Sequence, residues 1–364
     1  MKAVTFGGAM IDSIAIIAND QIERMSMRNA QSSFLLLEEG RKIEADQISQ
    51  HCGGGAINTA VCLARLGWDV ASVVKLGQDQ RADLILRRLE AEAVSTRWAM
   101  RDGRQATGSS LVVSSHERDA AIFTFRGANT TLEESDLVAD MFGADLVYVS
   151  SLSDGSADCF PQIVQRARQA GARVATNPGI RQLTSRAAPF LDALSDIDVV
   201  SINRVEADAL VPLLIGRFGA PPQTNRERSG EVVPALFERG LGADGYHLSI
   251  EAFMRAVLRC GAKHVLITNG GDGAYAASTD IHHCPVHPAT IAGTAGAGDA
   301  FASTFAAWLV ETEDTHAALR AATSNAASVI GFADTQSGLL PRDEIVQFLA
   351  SPHSDLPIAT WPLQ

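Results

Sequence analysis

The sequence predicts an α/β fold in which a central, mostly parallel sheet carries helices on both faces and a small β lid projects from it. Two observations predict the sheet: short apolar runs alternate with helical patterns, and glycine-rich or polar clusters follow several of these runs. A third predicts the lid, because residues 98–125 are rich in β-forming residues and lack a helical period. We expect one domain over residues 1–350, with the lid from about 12–50 and 98–128, a surface insertion at about 215–247, and a tail at 351–364.

The predicted elements follow one another along the chain. A first strand is expected at 4–11, a helix at 57–66 and a second strand at 69–76. Further apolar runs that suit buried parallel strands lie at 145–150, 172–176, 197–202 and 264–268. Ligands of open α/β sheets bind beyond the carboxyl ends of the strands. The site is therefore expected in the loops that follow these strands.

Composition narrows the class of protein. The chain has 364 residues, 46% hydrophobic and 20% charged, which is typical of a globular protein with a large core. A net charge of −12 argues against a nucleic-acid or anionic-membrane partner. The cysteine count, 5, is odd and no C-x-x-C occurs, which favours reduced thiols in the cytoplasm. The first residues are typical of a strand rather than a signal peptide, and no apolar stretch approaches the ~20 residues of a membrane span.

One glycine-rich run, "IAGTAGAGDAF" at 291–301, leads directly into an apolar helical pattern. Unpaired N–H groups at a helix start bind anions. A carboxylate in that first turn could take a proton from a substrate hydroxyl while the amides stabilise phosphoryl charge. The chain has neither the Walker A pattern nor a G-x-S-x-G elbow, and its first strand is not followed by a complete G-x-G-x-x-G. The pattern therefore favours phosphoryl transfer outside the P-loop class.

Two longer motifs resemble those of a known family. "GGGAINTAVCLARLG" (53–67) is similar to the first signature of the ribokinase-like (PfkB) carbohydrate kinases, and "TAGAGDAF" (294–301) is similar to the second. Shorter matches are "TGSSLVV" (107–113), "FRGANTTL" (125–132), "NRVE" (203–206) and "TNGGDGAY" (268–275). The matches occur in family order over nearly the whole chain. The resemblance implies a ribokinase-like fold and an ATP-dependent, Mg²⁺-requiring kinase that phosphorylates a hydroxyl of a small sugar.

The resemblance also implies roles for individual residues. Asp299 is the expected general base, and the anion hole is expected from Gly296, Ala297 and Gly298. The sugar pocket is expected from Asp12, Gly54, Gly55, Asn58 and Asn129. The nucleotide is expected to contact Thr268, Gly270, Gly273 and Asn325, while Asn203 and Glu206 act on Mg²⁺ through water.

Two departures from the family pattern accompany these matches. Gly293-Thr294-Ala295 stands where many members have an aspartate followed by two polar residues, and that aspartate often helps bind an activating monovalent cation. We therefore expect a weak or missing K⁺ site. Asn177-Pro178-Gly179 replaces a more acidic version of its loop, which removes a negative charge near the phosphates.

Other interpretations remain open from the sequence. The acceptor could be a nucleoside, and the chain could be a non-catalytic sugar- or nucleotide-binding regulator, although an intact Asp299 favours the enzyme. Asp12 could cap a turn, and Asn203 with Glu206 could form an ordinary helix cap. The histidine-rich stretch 282–287 has ligand spacing too short for a typical zinc site. Open edges of the lid suggest a homodimer through the lid.

Overall fold

A computed structural model describes residues 1–18, 23–26, 33–36, 40, 42–115, 120–220, 233–351 and 356–363. Its strands, numbered along the chain, are β1 (Lys2–Phe6), β2 (Met10–Ile17), β3 (Glu23–Ser26), β4 (Ser33–Leu36), β5 (Ala45–Gly53), β6 (Asp69–Gly77), β7 (Ala99–Asp102), β8 (Gly108–Ser115), β9 (Ala120–Phe125), β10 (Leu146–Ser150), β11 (Arg173–Asn177), β12 (Val199–Asn203), β13 (Leu241–Ala243), β14 (Tyr246–Leu248), β15 (His264–Thr268), β16 (Ala274–Ala277), β17 (Asp280–Cys284) and β18 (Ala359–Pro362). Its helices are α1 (Gly55–Arg65), α2 (Gln80–Ala91), α3 (Phe160–Gln169), α4 (Gly179–Ser185), α5 (Ala187–Asp192), α6 (Arg204–Phe218), α7 (Ala235–Arg239), α8 (Ile250–Arg259), α9 (Ala297–Thr312), α10 (Thr315–Val329) and α11 (Arg342–Leu349).

The main sheet has ten strands in the order β18-β17-β16-β15-β12-β11-β10-β1-β6-β7. Neighbours from β15 to β7 in this order pair in parallel, and β16, β17 and β18 add in antiparallel fashion. Side chains of β1 alternate between two apolar clusters: Val4 and Phe6 join the cluster with α3, α6 and α8, and Ala3 joins the one with α1, α9 and α10. A strand buried on both faces requires this alternation. The predicted sheet with helices on both faces is confirmed.

A separate sheet of four strands, in the order β5-β2-β8-β9, forms the lid. Strand β2 pairs antiparallel with β5 and parallel with β8, while β8 and β9 form a hairpin. A small apolar cluster within it contains buried Ile17 and Val113 with Ile43 packed against them. The predicted small β sheet is confirmed, although 19–22, 27–32, 37–39, 41 and 116–119 of the predicted lid segments lie outside the described residues.

Several predicted boundaries differ from the structure. The single strand expected at 4–11 is two strands, β1 in the main sheet and β2 in the lid, because the chain turns at Gly7 with φ of 146°. Strand β7, expected in the lid, pairs with β6 at the edge of the main sheet. In the expected insertion, α7 and a β13–β14 hairpin are formed, and 221–232 lie outside the described residues. The expected tail contains β18, which pairs with β17. Within the described ranges, no helix is long and apolar enough to cross a membrane.

Candidate active site

The carboxyl ends of β1 and β10 lie side by side, at the point where the chain connections turn toward opposite halves of the sheet. Ligands of open α/β sheets bind in the crevice at this point. Ser150 ends β10, and its Oγ donates a hydrogen bond of 3.1 Å to the Phe6 carbonyl. A Cβ on Gly55 at the start of α1 would lie 2.7 Å from the Ser150 side chain and 3.7 Å from Asp299 Oδ1. The first glycine signature and the predicted base therefore meet at this crevice.

Helix α9 presents the predicted anion hole. It begins at Ala297, and its first backbone hydrogen bond runs from the Ala300 N–H to the Gly296 carbonyl at 2.9 Å. The N–H groups of residues 297–299 therefore precede the hydrogen-bonded ladder of the helix and point from its positive end. Gly296 has φ of 82°, and a Cβ there would come within 2.9 Å of Thr335 atoms, so only glycine fits. Apart from its chain neighbours and the backbone of its own helix, no atom of the described residues lies within 4 Å of a Cβ built on Gly298, which leaves space for an anion.

Asp299 lies in the first turn of α9 and is partly buried. Asn58 Nδ2 donates a hydrogen bond of 2.8 Å to its Oδ2 oxygen. Burial raises the pKa of Asp299 to about 6, and the hydrogen bond from Asn58 opposes this rise. A carboxylate with a pKa near neutrality can accept a proton and release it again under physiological conditions.

Asn58 is itself held by a network of side chains that sequence reasoning missed. Its Oδ1 accepts hydrogen bonds from Thr335 Oγ1 at 2.8 Å and from Gln336 Nε2 at 3.1 Å. Arg88 Nε donates to Gln336 Oε1 at 2.9 Å, and Arg65 donates to the Gln336 carbonyl at 3.0 Å. The Asn58 amide is therefore oriented with its Nδ2 toward Asp299. No local sequence motif links these residues, so only the fold brings them together.

Asp12 lies on β2 in the lid, opposite Ser110 of β8. Ser110 Oγ donates a hydrogen bond of 2.5 Å to Asp12 Oδ1. Burial raises the pKa of Asp12, and this hydrogen bond lowers it in part. The chain before β2 is fixed by Asn129, whose amide accepts from the Ala9 N–H and donates to the Ala9 carbonyl, both at 2.9 Å. Both polar atoms of Asn129 are thus paired with the backbone beside Gly54, whose built Cβ would lie 2.9 Å from Ala9 Cα.

Asn203 and Glu206 form a capping box at the start of α6. Asn203 Oδ1 accepts from the Glu206 N–H at 3.0 Å, and Glu206 Oε2 accepts from the Asn203 N–H at 2.8 Å. Burial is the main cause that raises the pKa of Glu206, and the nearby charge of Asp299 raises it further. The helix-cap interpretation thus describes the local geometry. The same geometry leaves two carboxylates facing one region, and oxygen donors of this kind suit Mg²⁺.

Of the residues predicted to bind the nucleotide, three lie close together and one lies elsewhere. Thr268 at the end of β15 pairs in register with Asn203 at the end of β12, and Gly270 and Gly273 belong to the turn that follows. Asn325, by contrast, is fully buried between helices, where its Nδ2 donates to Thr304 at 2.8 Å and its Oδ1 accepts from the Leu340 N–H at 2.9 Å. This position does not bring Asn325 to an open surface.

A cavity of about 540 Å³ lies beside Asn325. Its lining includes the segment before the anion hole, a face of α10 and part of α11, with His287, Pro288, Ala289, Ser324, Ala327, Ser328, Glu344 and Phe348. The segment 287–289, which lines the cavity, ends seven residues before Gly296. The same stretch of chain therefore runs from the cavity to the predicted anion hole. Asn325 itself points into the packed interior, while its neighbour Ser324 lines the cavity. Which face of a packed helix a residue occupies depends on tertiary contacts, so the sequence alone does not determine it.

The chain is similar to proteins of a known family. A model described as the pfkB family carbohydrate kinase matches residues 15–342, which is most of the chain. The chain belongs to the PfkB family of carbohydrate kinases. Among curated relatives, it is 24% identical over 341 residues to the deoxyribokinase of Salmonella typhimurium, covering 93% of this chain and 98% of that protein. It is 26% identical to the ribokinase of Staphylococcus aureus, covering 84% of this chain and 88% of that protein.

Solved structures show the same fold. Ribokinase from Thermotoga maritima superposes with a TM-score of 0.72 at 19% identity, covering 96% of this chain and 100% of that one. Arabidopsis thaliana ribokinase, solved with ribose and ATP, gives 0.69 at 21% identity, covering 96% and 99%. A putative ribokinase II from E. coli, solved with ATP and Mg²⁺, gives 0.70 at 18% identity, covering 96% and 98%. The ribokinase-like fold, the family and the enzyme class expected from the sequence are confirmed.

Proposed function

We propose that this PfkB kinase transfers the γ-phosphoryl group of ATP to a hydroxyl of a small sugar, with Asp299 as general base. One observation carries the proposal: a carboxylate with a pKa of about 6 lies in the first turn of α9, among unpaired N–H groups of the same turn. A non-catalytic binding protein needs the amides but has no use for the base. The site therefore favours catalysis over binding alone.

The proposed chemical step uses both oxygens of Asp299. Asn58 holds Oδ2, so Oδ1 on the Gly55 side is free to accept the proton of the sugar hydroxyl. The deprotonated oxygen attacks the γ-phosphorus while the bond from that phosphorus to the β–γ bridging oxygen breaks, and ADP leaves. The N–H groups of residues 297–299 stabilise the charge on the transferring group. Asp12 accepts hydrogen bonds from other sugar hydroxyls, and the lid excludes water that would otherwise hydrolyse ATP.

Roles in nucleotide and metal binding follow from the same positions. The cavity beside α10 is proposed to take the nucleobase, with Thr268, Gly270 and Gly273 along the path to the phosphates. Glu206 fits a role in holding Mg²⁺ through water, because it is a buried carboxylate that shares its surroundings with the Asp299 charge. When bound, Mg²⁺ would neutralise negative charge on the phosphates of ATP. Asn203 then serves to orient Glu206, and Asn129 serves to position β2 through Ala9.

The test is a panel of sugars and nucleosides incubated with Mg²⁺–ATP, read by ADP release and by the mass of the phosphorylated product. We expect one or a few sugars to be phosphorylated and Asp299→Asn to form the product ~10²–10⁴-fold more slowly. Exclusive turnover of nucleosides would establish the alternative of a nucleoside kinase. Tight binding of a sugar without any product would support the regulator instead.

The homodimer through the lid stays a prediction. The lid exposes large apolar side chains on the face opposite Asp12, namely Ile48, Leu111, Phe123 and Phe125. A second copy that covered this face would remove apolar surface from water. Light scattering of the intact protein and of Phe123→Ser distinguishes a lid dimer from a monomer.

A further inference from the structure

The loop that follows β10 brings two arginines together. A Cβ on Gly179 would lie 2.7 Å from Ser151 Oγ, so the start of α4 packs directly on this loop. Gln182 Oε1 accepts from the Leu152 N–H at 3.4 Å, and Arg126 donates to Ser153 Oγ at 2.8 Å. Three successive loop residues therefore contact positions 179, 182 and 126. Arg181 lies between the first two on α4, and it is near enough to Arg126 for the two positive charges to interact.

Within the part of the chain that the structure describes, these two guanidinium groups have no close counter-charge. Among the described residues, no carboxylate lies within ion-pair distance of Arg126 or Arg181. The charge of exposed Asp154 acts from farther away to raise the pKa of Arg126. Arg126 is half-buried, and both its burial and the charge of Arg181 lower its pKa. A half-buried cation that faces a like charge is unfavourable in the absence of an anion. Arg186, at the end of α4, is by contrast paired with Asp158.

The arginines border the active site. The loop that holds them starts at Ser150, which packs against Gly55 beside Asp299. Arg126 directly precedes the turn in which Asn129 binds Ala9, next to the strand that carries Asp12. On the other side, the Ile180 backbone lies close enough to the Glu206 carboxylate to lower its pKa. The arginine pair therefore lies at the rim of the crevice, between Asp12 and Asp299. Arg126 is the one nearer the lid.

We propose that Arg126 and Arg181 form a subsite for an anionic group of the sugar, so that the acceptor is an acidic sugar, bearing a carboxylate or a phosphate ester. The inference rests on the proposed kinase function and names its substrate class. Guanidinium groups bind both kinds of anion through paired N–H donors. Because the anion is bound away from the reacting hydroxyl, it contributes recognition rather than chemistry.

The test compares neutral sugars (ribose, glucose, fructose), aldonic and keto-aldonic acids of five and six carbons, and the phosphate esters ribose 5-phosphate and fructose 6-phosphate. Wild type, Arg126→Gln, Arg181→Gln and the control Arg186→Gln are assayed with saturating Mg²⁺–ATP. We expect at least a tenfold higher kcat/KM for one class of acidic sugar, and a rise in its KM of about 10- to 100-fold in either Arg126→Gln or Arg181→Gln. The control should behave as wild type, and the preferred class identifies the anion.

Three results would overturn the inference. Neutral sugars could be phosphorylated as well as acidic ones, the two variants could leave the KM for the acidic sugar unchanged, or they could raise the KM for ATP instead. The last result would assign the arginines to the triphosphate. Failure of every sugar, charged or neutral, to accept a phosphoryl group would instead refute the proposed function itself.

Discussion

The proposed base, Asp299, and the proposed sugar acceptor, Asp12, are supported in different ways. Asp299 lies on a helix packed into a large apolar cluster, and its partner Asn58 is fixed by further side chains. Asp12 lies in a sheet whose own apolar cluster is small, and its side chain accepts a hydrogen bond from Ser110 of the same sheet. The proposed base is thus held by the interior and the proposed sugar acceptor by the lid. We therefore expect mutations on the two sides to separate turnover from sugar binding.

The largest effect is expected for Asp299→Asn. The amide keeps the size of the side chain but cannot accept the hydroxyl proton, so kcat should fall by ~10²–10⁴-fold. Steady-state kinetics with the best sugar, with ADP release as the readout, measure this loss. Near-wild-type turnover would remove Asp299 from the role of base.

The stability of the same variant provides its control. The pKa of Asp299 is about 6 in the folded protein, above the ordinary 3.8, so the charged form is disfavoured by folding. That cost is present at pH 7 and disappears as the pH falls through this range. Asp299→Asn should therefore melt at the same or a higher temperature than wild type at pH 7, which excludes unfolding as the cause of lost turnover.

The next largest effect is expected on the lid side. Asp12→Ala removes a partly buried charged acceptor, so the KM for the sugar should rise by about 10- to 100-fold while the KM for ATP changes little. Asp280→Ala is a suitable control, because this carboxylate lies on β17 in the main sheet. Equal losses for sugar and ATP would contradict the division between the two sides.

The pH dependence of kcat/KM should come from Asp299. Because burial raises the pKa of Asp299 to about 6, the deprotonated base is lost as the pH falls below that value. We expect kcat/KM to fall by about tenfold per pH unit on this acidic limb. Asp12→Ala should retain the limb, and the residual activity of Asp299→Asn should lack it. A limb that persists in Asp299→Asn would assign it to another group, such as Glu206.

The sequence was most informative where function depends on local chemistry. The glycine-rich run predicted a helix start at Gly296 with Asp299 in its first turn, and the structure has this helix start. The supporting residues could not be found this way, since Arg88 and Gln336 are 248 positions apart and follow no motif. Strand β7 was expected in the lid and β18 in a tail, but both pair at edges of the main sheet. The partner of an edge strand is determined by tertiary contacts rather than by its own sequence. The burial of Asn325 likewise depends on how α9 and α10 pack.

A smaller effect is expected where the network behind the base is broken. Gln336→Leu removes the donor to Asn58 and the acceptor for Arg88, so Asn58 is less firmly oriented toward Asp299. Loss of about 1 kcal/mol, typical of one hydrogen bond, corresponds to a kcat lowered about fivefold. The KM for the sugar should change little and the acidic limb should shift. A lower melting temperature with unchanged kcat and pH profile would show a purely structural role.

The smallest effect is expected for monovalent cations, at Gly293. A Cβ built there would lie 3.0 Å from the Phe332 carbonyl and 3.4 Å from the Ala333 carbonyl, so two main-chain oxygens face the position where other family members carry an aspartate. Without that carboxylate the donor set lacks a charge, and a K⁺ site should be weak. Activity in Na⁺, K⁺ and tetramethylammonium, at constant ionic strength and saturating Mg²⁺–ATP, should therefore differ less than twofold. Ionic strength is held fixed because it screens the substrate charges by itself. A steep, saturable activation by K⁺ alone would show that the carbonyls of this loop are sufficient to bind the ion beside the anion hole.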